Sequence, residues 1–414
     1  MRSGARGSGA PDLAYAKRFL QGFLSRVLTG RSDWHTIAAS ISYVIRGGEE
    51  VRLRTTSLLP GAVAVGLLAL GSTACTLKNS GEPTGGRAPA SARAGSGSAV
   101  LEDGSDTKVA LVPGGAHPYF QPWKAAGAKA KETYRLGDVR FDETAEWDQQ
   151  KQNNLLSTLA ARGYNAFGVF GVSPTDINTT FADLKSQGLT VASLGSCPAG
   201  KENEADFCLS TDVELAAYKA AKAAIDAMGG KGRLVHLTGN NVDANTQLRI
   251  KGVARAVKES GGKVTLLQTV TDIDKDLQTA QKAVSDLLTA KGKQIQGIVS
   301  TAYNPAVAAA DAVKGSGSRA KVVAIDDDAK ILGSIKQGTV TATVVQNPVG
   351  QAEVGAWALA LLQTEQCAMH RPGQSVDSGS FVVTKDNLTT YDRARRAKTA
   401  QLKKRFAEDV LACG

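Results

Sequence analysis

Side chains able to grip a hydroxylated small molecule recur in this sequence directly after short β-branched runs. Lys108–Val112 leads into Pro113-Gly-Gly-Ala-His117-Pro118-Tyr119-Phe120, two adjacent aromatics in a chain that is only 5% aromatic. An aromatic face suits the C–H face of a sugar ring, although the same two rings would also seal a helix against a sheet. The run Ala166–Val172 leads into Ser173-Pro174-Thr175-Asp176, a turn that also caps a following helix. Arg233–Leu237 precedes a polar segment, Thr238 to Gly252, that contains Arg249. Lys321–Ile325 precedes Asp326-Asp327-Asp328, ordinarily a solvated loop, of which only Asp326 stands directly at the strand end, the position from which a side chain can reach a cleft. Thr341–Val345 precedes Gln346-Asn347-Pro348. Carboxylate, amide and guanidinium groups each bridge neighbouring hydroxyls with paired hydrogen bonds.

The elements that must position these groups alternate along the chain. Apolar runs at Lys108–Val112, Val139–Phe141, Ala166–Val172 and Val191–Leu194 are separated by helical patterns at Phe120–Tyr134, Gln149–Ala161 and Asp176–Gln187. A second set follows Thr211. Its helices are Val213–Met228, Ala244–Ser260, Lys275–Ala290 and Pro305–Val313; its strands are Arg233–Leu237, Val264–Thr269, Gly297–Ser300 and Lys321–Ile325. Strands that are apolar throughout and joined by helices indicate parallel sheets covered on both faces. Two such sets imply an α/β protein of two doubly wound lobes, whose ligands bind beyond the carboxyl ends of the strands.

The N-terminal region reads as targeting sequence. Val51-Arg-Leu-Arg is a short basic stretch, Ser57–Leu70 is apolar, and Gly71-Ser-Thr-Ala leads into Cys75. That is the order of a secretory signal. Its apolar run is shorter than the roughly 20 residues of a membrane span. Small residues directly before a Cys resemble a bacterial lipoprotein signal, which implies cleavage before Cys75 and acylation of that residue. Thr76–Ser105, rich in Gly, Ser, Ala and Pro and without aromatics, reads as a flexible tether. Residues 1–50 precede the basic end at which a signal should start. Gly47-Gly-Glu-Glu50 before Val51 is what a purine-rich ribosome-binding site gives when read as codons, so translation is expected to begin at Val51. The alternative is a genuine extension carrying an amphipathic segment, Tyr15–Leu28.

Four further cysteines allow three pairings. Export favours disulfides. Cys197 and Cys208 enclose a polar loop and form the expected local staple; Cys367 with Cys413 would then pin the C-terminal tail to the body. No Cys-x-x-Cys occurs and the chain holds four His, so neither a metal centre nor any other cofactor is expected.

The net charge of +10 raises nucleic acid as a partner, but its distribution removes the suggestion. Lys and Arg number 9 against 4 Asp and Glu in residues 1–75, 33 against 32 in 76–390, and 7 against 3 in 391–414. A body carrying +1 matches an uncharged ligand better than a polyanion. The tail beyond Leu388, with Arg393, Arg395, Arg396, Lys398 and Lys403-Lys404-Arg405, reads as a basic helix with a solvated face. Attraction of this helix to anionic headgroups beside the lipid anchor is the lesser alternative.

With these residues in place, Lys108–Leu388, about two thirds of the chain, resembles the type 1 periplasmic sugar-binding proteins of ABC transporters, the ribose- and rhamnose-binding group. The resemblance lies in VALVPGGAHPYF, FGVSPTD, the LTG run with Arg249-x-x-Gly252, and VVAIDDDAKILGSIKQGTVTATVVQNP. It implies stacking roles for Tyr119 and Phe120, a polar contact at Ser173, and hydroxyl contacts from Arg249, Asp326 and Gln346. His117 stands where the family usually has Asn. Gly195-Ser196 stands where many members have Asp-Arg, and Ala302 where an Asn is frequent, with Asn304 nearby. These departures leave room for a deoxy or bulkier ligand. Trp147, opening the second helix, is a further contact or a buried helix anchor. The resemblance further implies three crossings between lobes, near Ser210, Gln346 and Ser378. One lobe would comprise 106–210 and 347–378, the other 211–346 and 379–388, with 389–414 added as the basic helix.

The expected function is that of a lipid-anchored, extracytoplasmic solute receptor delivering a sugar-like ligand to an ABC permease, acting as a monomer without nucleic acid. A sensor presenting its closed form to a membrane kinase or chemoreceptor would have the same fold. An enzyme such as a glycosidase would need a second carboxylate opposite Asp326, and neither that nor a Gly-x-Ser-x-Gly motif is evident. A repressor would need a DNA-binding headpiece where the signal and tether stand. Mass spectrometry of the native protein should find acylated Cys75 at its N-terminus and no peptide from residues 1–50. Recovery of any such peptide would refute the start at Val51.

Overall fold

The computed structural model describes residues 99–200 and 203–414. Residues 1–50, the signal Val51–Cys75 and most of the tether lie outside the described residues. The chain reads β1 (Lys108–Val112), α1 (Gln121–Tyr134), β2 (Asp138–Phe141), α2 (Gln149–Ala161), β3 (Ala166–Val169), α3 (Ile177–Ser186), β4 (Thr190–Leu194) and β5 (Phe207–Ser210). It continues through α4 (Val213–Ala227), β6 (Gly232–Leu237), α5 (Ala244–Lys258), β7 (Val264–Val270), α6 (Leu277–Lys291), β8 (Gly297–Ser300), α7 (Tyr303–Ser316), β9 (Lys321–Ile325), α8 (Ala329–Gln337) and β10 (Ala342–Val345). The last elements are α9 (Pro348–Gln363), β11 (Cys367–Met369), β12 (Gln374–Asp377), β13 (Phe381–Thr384), α10 (Tyr391–Arg405) and β14 (Leu411–Cys413).

Two six-stranded sheets result, ordered β12-β5-β4-β3-β1-β2 and β13-β10-β9-β8-β6-β7. The first is wholly parallel, and the second is parallel except where β13 runs against β10. This is the two-lobed α/β architecture expected from the alternation of apolar runs and helices. Central strands are buried on both faces because helices cover both: Val109 to Val112, Leu234 to Leu237 and Val322 to Ile325 are all inaccessible or nearly so.

The chain passes between the sheets three times, after β5, after β10 and after β12. Polar side chains are buried at these crossings and satisfy one another, as buried polar groups must. Thr211 and Ser378 hydroxyls lie 3.2 Å apart, and Gln351 Nε2 donates to Ser378 Oγ at 3.2 Å. Asn347 Nδ2 donates to the Ser378 carbonyl at 3.2 Å, and Asp377 Oδ1 accepts the amides of Asp212 and Gly379.

Several elements depart from the sequence reading. β3 ends at Val169, three residues early, because the chain turns there and a Cβ on Gly171 would lie 2.8 Å from Ile177. The short β5 and the buried α9 carry no periodic signal: one is four residues long and the other is apolar nearly all round. The tether does not extend freely to Ser105. Ala99 and Leu101 already pack on the first lobe, and Glu102 N donates to Gln366 Oε1.

The basic tail is a helix with one solvated face, as expected, and its other face is docked on both lobes. Arg395 pairs with Asp327 of the second lobe at 3.1 Å, while Thr399 Oγ1 donates to Asn347 Oδ1 at 3.0 Å. Lys403 lies over the rings of Tyr134 and Trp357 in the first lobe, and its Nζ donates to Tyr134 Oη at 3.0 Å. Arg393, Arg396, Lys404 and Arg405 face outward. Beyond α10, Phe406 packs against Phe207, β14 pairs with β11, and the Cys367–Cys413 disulfide closes that pair. Cys197 and Cys208 are also bonded.

Gly252 is fixed by close helix contact: a Cβ there would stand 2.2 Å from the Glu214 carbonyl oxygen of α4. Gly252→Ala should therefore lower unfolding free energy by about 1–3 kcal/mol. Denaturant titration checks this, and an unchanged midpoint would contradict the packing.

Candidate ligand-binding site

A cavity of about 460 Å³ opens between the carboxyl ends of the two sheets, within the range of small-molecule sites. Six of the seven residues singled out from sequence line it: His117, Tyr119, Phe120, Arg249, Asp326 and Gln346. Ser173 does not. Its hydroxyl accepts from the Asp176 amide at 3.1 Å within the turn before α3. A wider groove of about 980 Å³ opens at the opposite end of the second sheet, beside Met228, Leu288 and Lys321. Strands begin at that end, and the groove has neither an aromatic nor a carboxylate in its lining.

The first lobe contributes mainly rings. His117 caps a turn over Pro118–Phe120, its Nδ1 accepting from the Tyr119 amide at 3.2 Å. Phe120 is buried and meets Tyr119, Trp123 and Phe170 edge-on at centroid distances of 5.2, 5.0 and 5.1 Å. Trp147 completes the wall. Its backbone and that of Glu146 are left-handed, with φ of 58° and 55°. The ring lies against Gly114 and Gly115, where any Cβ would come within 2.9 Å of it. Tyr119 turns its hydroxyl away, donating to Gln351 Oε1 at 3.1 Å; burial raises its pKa, so the donor persists.

The second lobe contributes polar groups. Asp326 follows β9 with φ 65°, a conformation that Asp tolerates better than most residues. Its amide donates to the Val344 carbonyl, and Oδ1 accepts from Gln346 Nε2 at 2.9 Å. Burial pushes its pKa up to about 7, opposed by the Gln346 bond and the charge of Arg249. Arg249 projects from α5 with its Nε buried, and its guanidinium makes no hydrogen bond or ion pair among the described residues. Behind it, His236 shares a 2.7 Å hydrogen bond with Thr301; burial and Arg249 hold its pKa down to about 3, so it is neutral.

The lobes touch across the cavity. His117 Nε2 is 3.5 Å from Asp274 Oδ2, and Asn245 Nδ2 donates to the Gly195 carbonyl at 3.1 Å. Asn304 holds Asp274 through its amide at 2.8 Å, and its Nδ2 is 3.4 Å from His117 Nε2. Sequence reasoning missed Phe170, Asn245, Asp274 and Tyr303 as lining residues. Asp274 follows β7, so the strand-end rule would have found it had that loop been inspected. Among the described residues no cluster suited to a metal ion is present, and no helix is long and apolar enough to cross a membrane.

Comparison with known proteins places the chain in a family. Residues 109–366 match the periplasmic binding protein domain, well over half of the chain, and the protein belongs to that family. It is 25% identical over 259 residues to the D-allose-binding periplasmic protein of Escherichia coli, covering 60% of this chain and 80% of that one. It is 24% identical over 245 residues to a D-apiose import binding protein of Actinobacillus succinogenes, covering 59% and 77%. Among solved structures, a solute-binding protein of Burkholderia graminis in complex with D-arabinose superposes with a TM-score of 0.64 at 21% identity, covering 70% of this chain and 99% of that one. One from Actinobacillus succinogenes with bound D-allose gives 0.63 at 20% identity, covering 69% and 100%. These likenesses establish the same fold.

A carboxyl group whose pKa rises on folding keeps a proton that the unfolded chain releases, so stability falls as pH climbs between the two values. Ligand-free protein should lose up to about 4 kcal/mol through Asp326 between roughly pH 4 and 7. Asp326→Asn should flatten that part of the stability profile, measured by denaturation across pH. A variant profile parallel to the wild type would show that Asp326 titrates normally.

Proposed function

We propose that this member of the periplasmic binding protein domain family is the extracytoplasmic receptor of an ABC importer, taking up a sugar or sugar-like molecule between its lobes. The observation that carries the reading is the Arg249 guanidinium, unpaired among the described residues and facing the same cavity as the buried Asp326–Gln346 pair. Buried donors are ordinarily satisfied, and a bound hydroxyl satisfies them here. Aromatic rings on the facing wall suit the C–H surface of the same ligand. Further support comes from relatives named for allose and apiose and from sugar-bound structures of the same fold. Hinge closure would bury the ligand and present a distinct surface to a permease.

In this reading the signal Val51–Cys75 exports the chain and the acylated Cys75 holds it at the membrane as a monomer. The tether gives the receptor reach. The catalytic alternative finds no support among the relatives, which are named as binding proteins.

A thermal-shift screen of the protein against sugars, polyols and nucleosides tests the proposal, because a ligand at a hundred times its Kd adds about 2.7 kcal/mol of apparent stability. Arg249→Ala should weaken the best ligand by roughly 10- to 100-fold, the cost of a hydrogen bond to a charged group. If no compound of the panel raises the melting temperature, the sugar-receptor reading falls.

A further inference from the structure

The two walls of the cleft differ in chemistry, and the side-chain polar atoms of His117, Tyr119 and Glu146 in the first lobe already have partners. His117 Nδ1 accepts from the Tyr119 amide, and its Nε2 faces Asp274. The Tyr119 hydroxyl is bound to Gln351, and the Glu146 carboxylate is paired with Lys151. Gly195, at the end of β4, presents no side chain, and with φ 78° its Cβ position already lies 3.2 Å from Phe170. A ring bearing hydroxyls all round would press some of them against Phe120, Phe170 and Val172 without partners, which is unfavourable for any buried polar group.

The mouth of the cavity carries a second, independent signal. Among the described residues four large hydrophobic side chains are exposed, and two of them line this cavity from opposite lobes: Trp147, 44% exposed, and Val242, 77% exposed. Trp147 is no loosely placed surface ring. Two successive left-handed residues and the Gly114-Gly115 seat hold it at the opening, and its indole meets His117 and Phe170 edge-on at 6.2 and 6.1 Å. An exposed apolar pair at the rim of a cleft marks a place where ligand covers it.

We infer that the cleft takes a hydroxylated ring carrying an apolar group. Its hydroxyls meet Arg249, Asp326 and Gln346, and its apolar group lies among Phe170, Val172, Trp147 and Val242. This rests on the reading of the cleft as a sugar site and narrows it to deoxy sugars and alkyl or aryl glycosides. Both sources supply the same chemistry, a hydrocarbon surface beside a polyol edge.

Calorimetry on the full chain in detergent, with hexoses each paired to its 6-deoxy and its phenyl-glycoside form, separates the outcomes. At least one apolar partner should bind about tenfold or more tighter than its parent hexose, the discrimination a hydrophobic pocket gives for such a group. The 6-deoxy arm succeeding alone identifies a methyl-sized subsite; the phenyl arm succeeding identifies an open one that reaches the rim. Trp147→Ala should bring the ratio to within about threefold, and Gly115→Ala, which displaces the ring from its seat, should do the same. Melting curves of both variants report whether the fold is retained. Hexoses binding as tightly as every apolar partner would overturn this inference and leave the sugar-receptor reading standing. A ratio unchanged in both variants would overturn it too. Absence of binding by hexoses and partners alike would remove both.

Discussion

Gln351 is wholly buried at the point where the two lobes join, and its amide group links three chain segments at once. Its carbonyl oxygen accepts from Tyr119 of the first lobe, and its Nε2 donates to Ser378 and approaches Thr211 in two of the crossings. A two-lobed protein must carry its backbone from one core to another through a region too small to have a core of its own. Unsatisfied polar groups there would cost about 1–3 kcal/mol each. Reciprocal hydrogen bonds among Thr211, Asn347, Gln351 and Ser378 resolve that constraint. Because Tyr119 is tied into the same network, the aromatic wall of the cleft is referenced to the hinge.

The C-terminal segment reinforces that joint from outside. α10 touches the second lobe through Arg395 and Asp327, the crossing through Thr399 and Asn347, and the first lobe through Lys403 over Tyr134 and Trp357. Phe406, the β11–β14 pair and the Cys367–Cys413 bond then fasten it to the first lobe. Part of the positive charge that looked like a solvated or membrane-facing surface is therefore engaged internally. Asp327, its partner in the second lobe, is the residue next to Asp326 in the cleft.

Electrostatics within the cleft follow from burial. Asp326 is desolvated enough to hold its proton near neutrality, while the Arg249 guanidinium close by has no hydrogen-bond or ion-pair partner among the described residues. His236, buried behind Arg249, is neutral and adds no charge there. The result is a polar edge able to donate and accept, set opposite a wall made mainly of rings.

Much of this was legible along the chain. Alternating apolar runs and helices gave two doubly wound lobes, and inspection of strand ends found Arg249, Asp326 and Gln346, because parallel strands deliver their following residues to one edge of a sheet. The pattern failed where an element had no period, as in β5 and α9. It failed also where one residue served two possible ends: Ser173 sits at a strand end, yet its hydroxyl belongs to the turn. Whether Trp147 is buried or lines the cavity could not be read from its neighbours, since Gly114 and Gly115, thirty-odd residues away, form its seat.

Sequence by itself determined the periodicity, the strand-end chemistry, the near-neutral body and the cysteines available for pairing, all properties of local order along one chain. Tertiary structure alone decided that His117 and Tyr119 have partners while the Arg249 guanidinium has none among the described residues, and that the basic tail lies across the joint. Those outcomes depend on which donor meets which acceptor across the fold, between residues as far apart as Tyr119 and Gln351. Local sequence carries no record of such meetings, because a hydrogen bond is fixed by distance and angle in space.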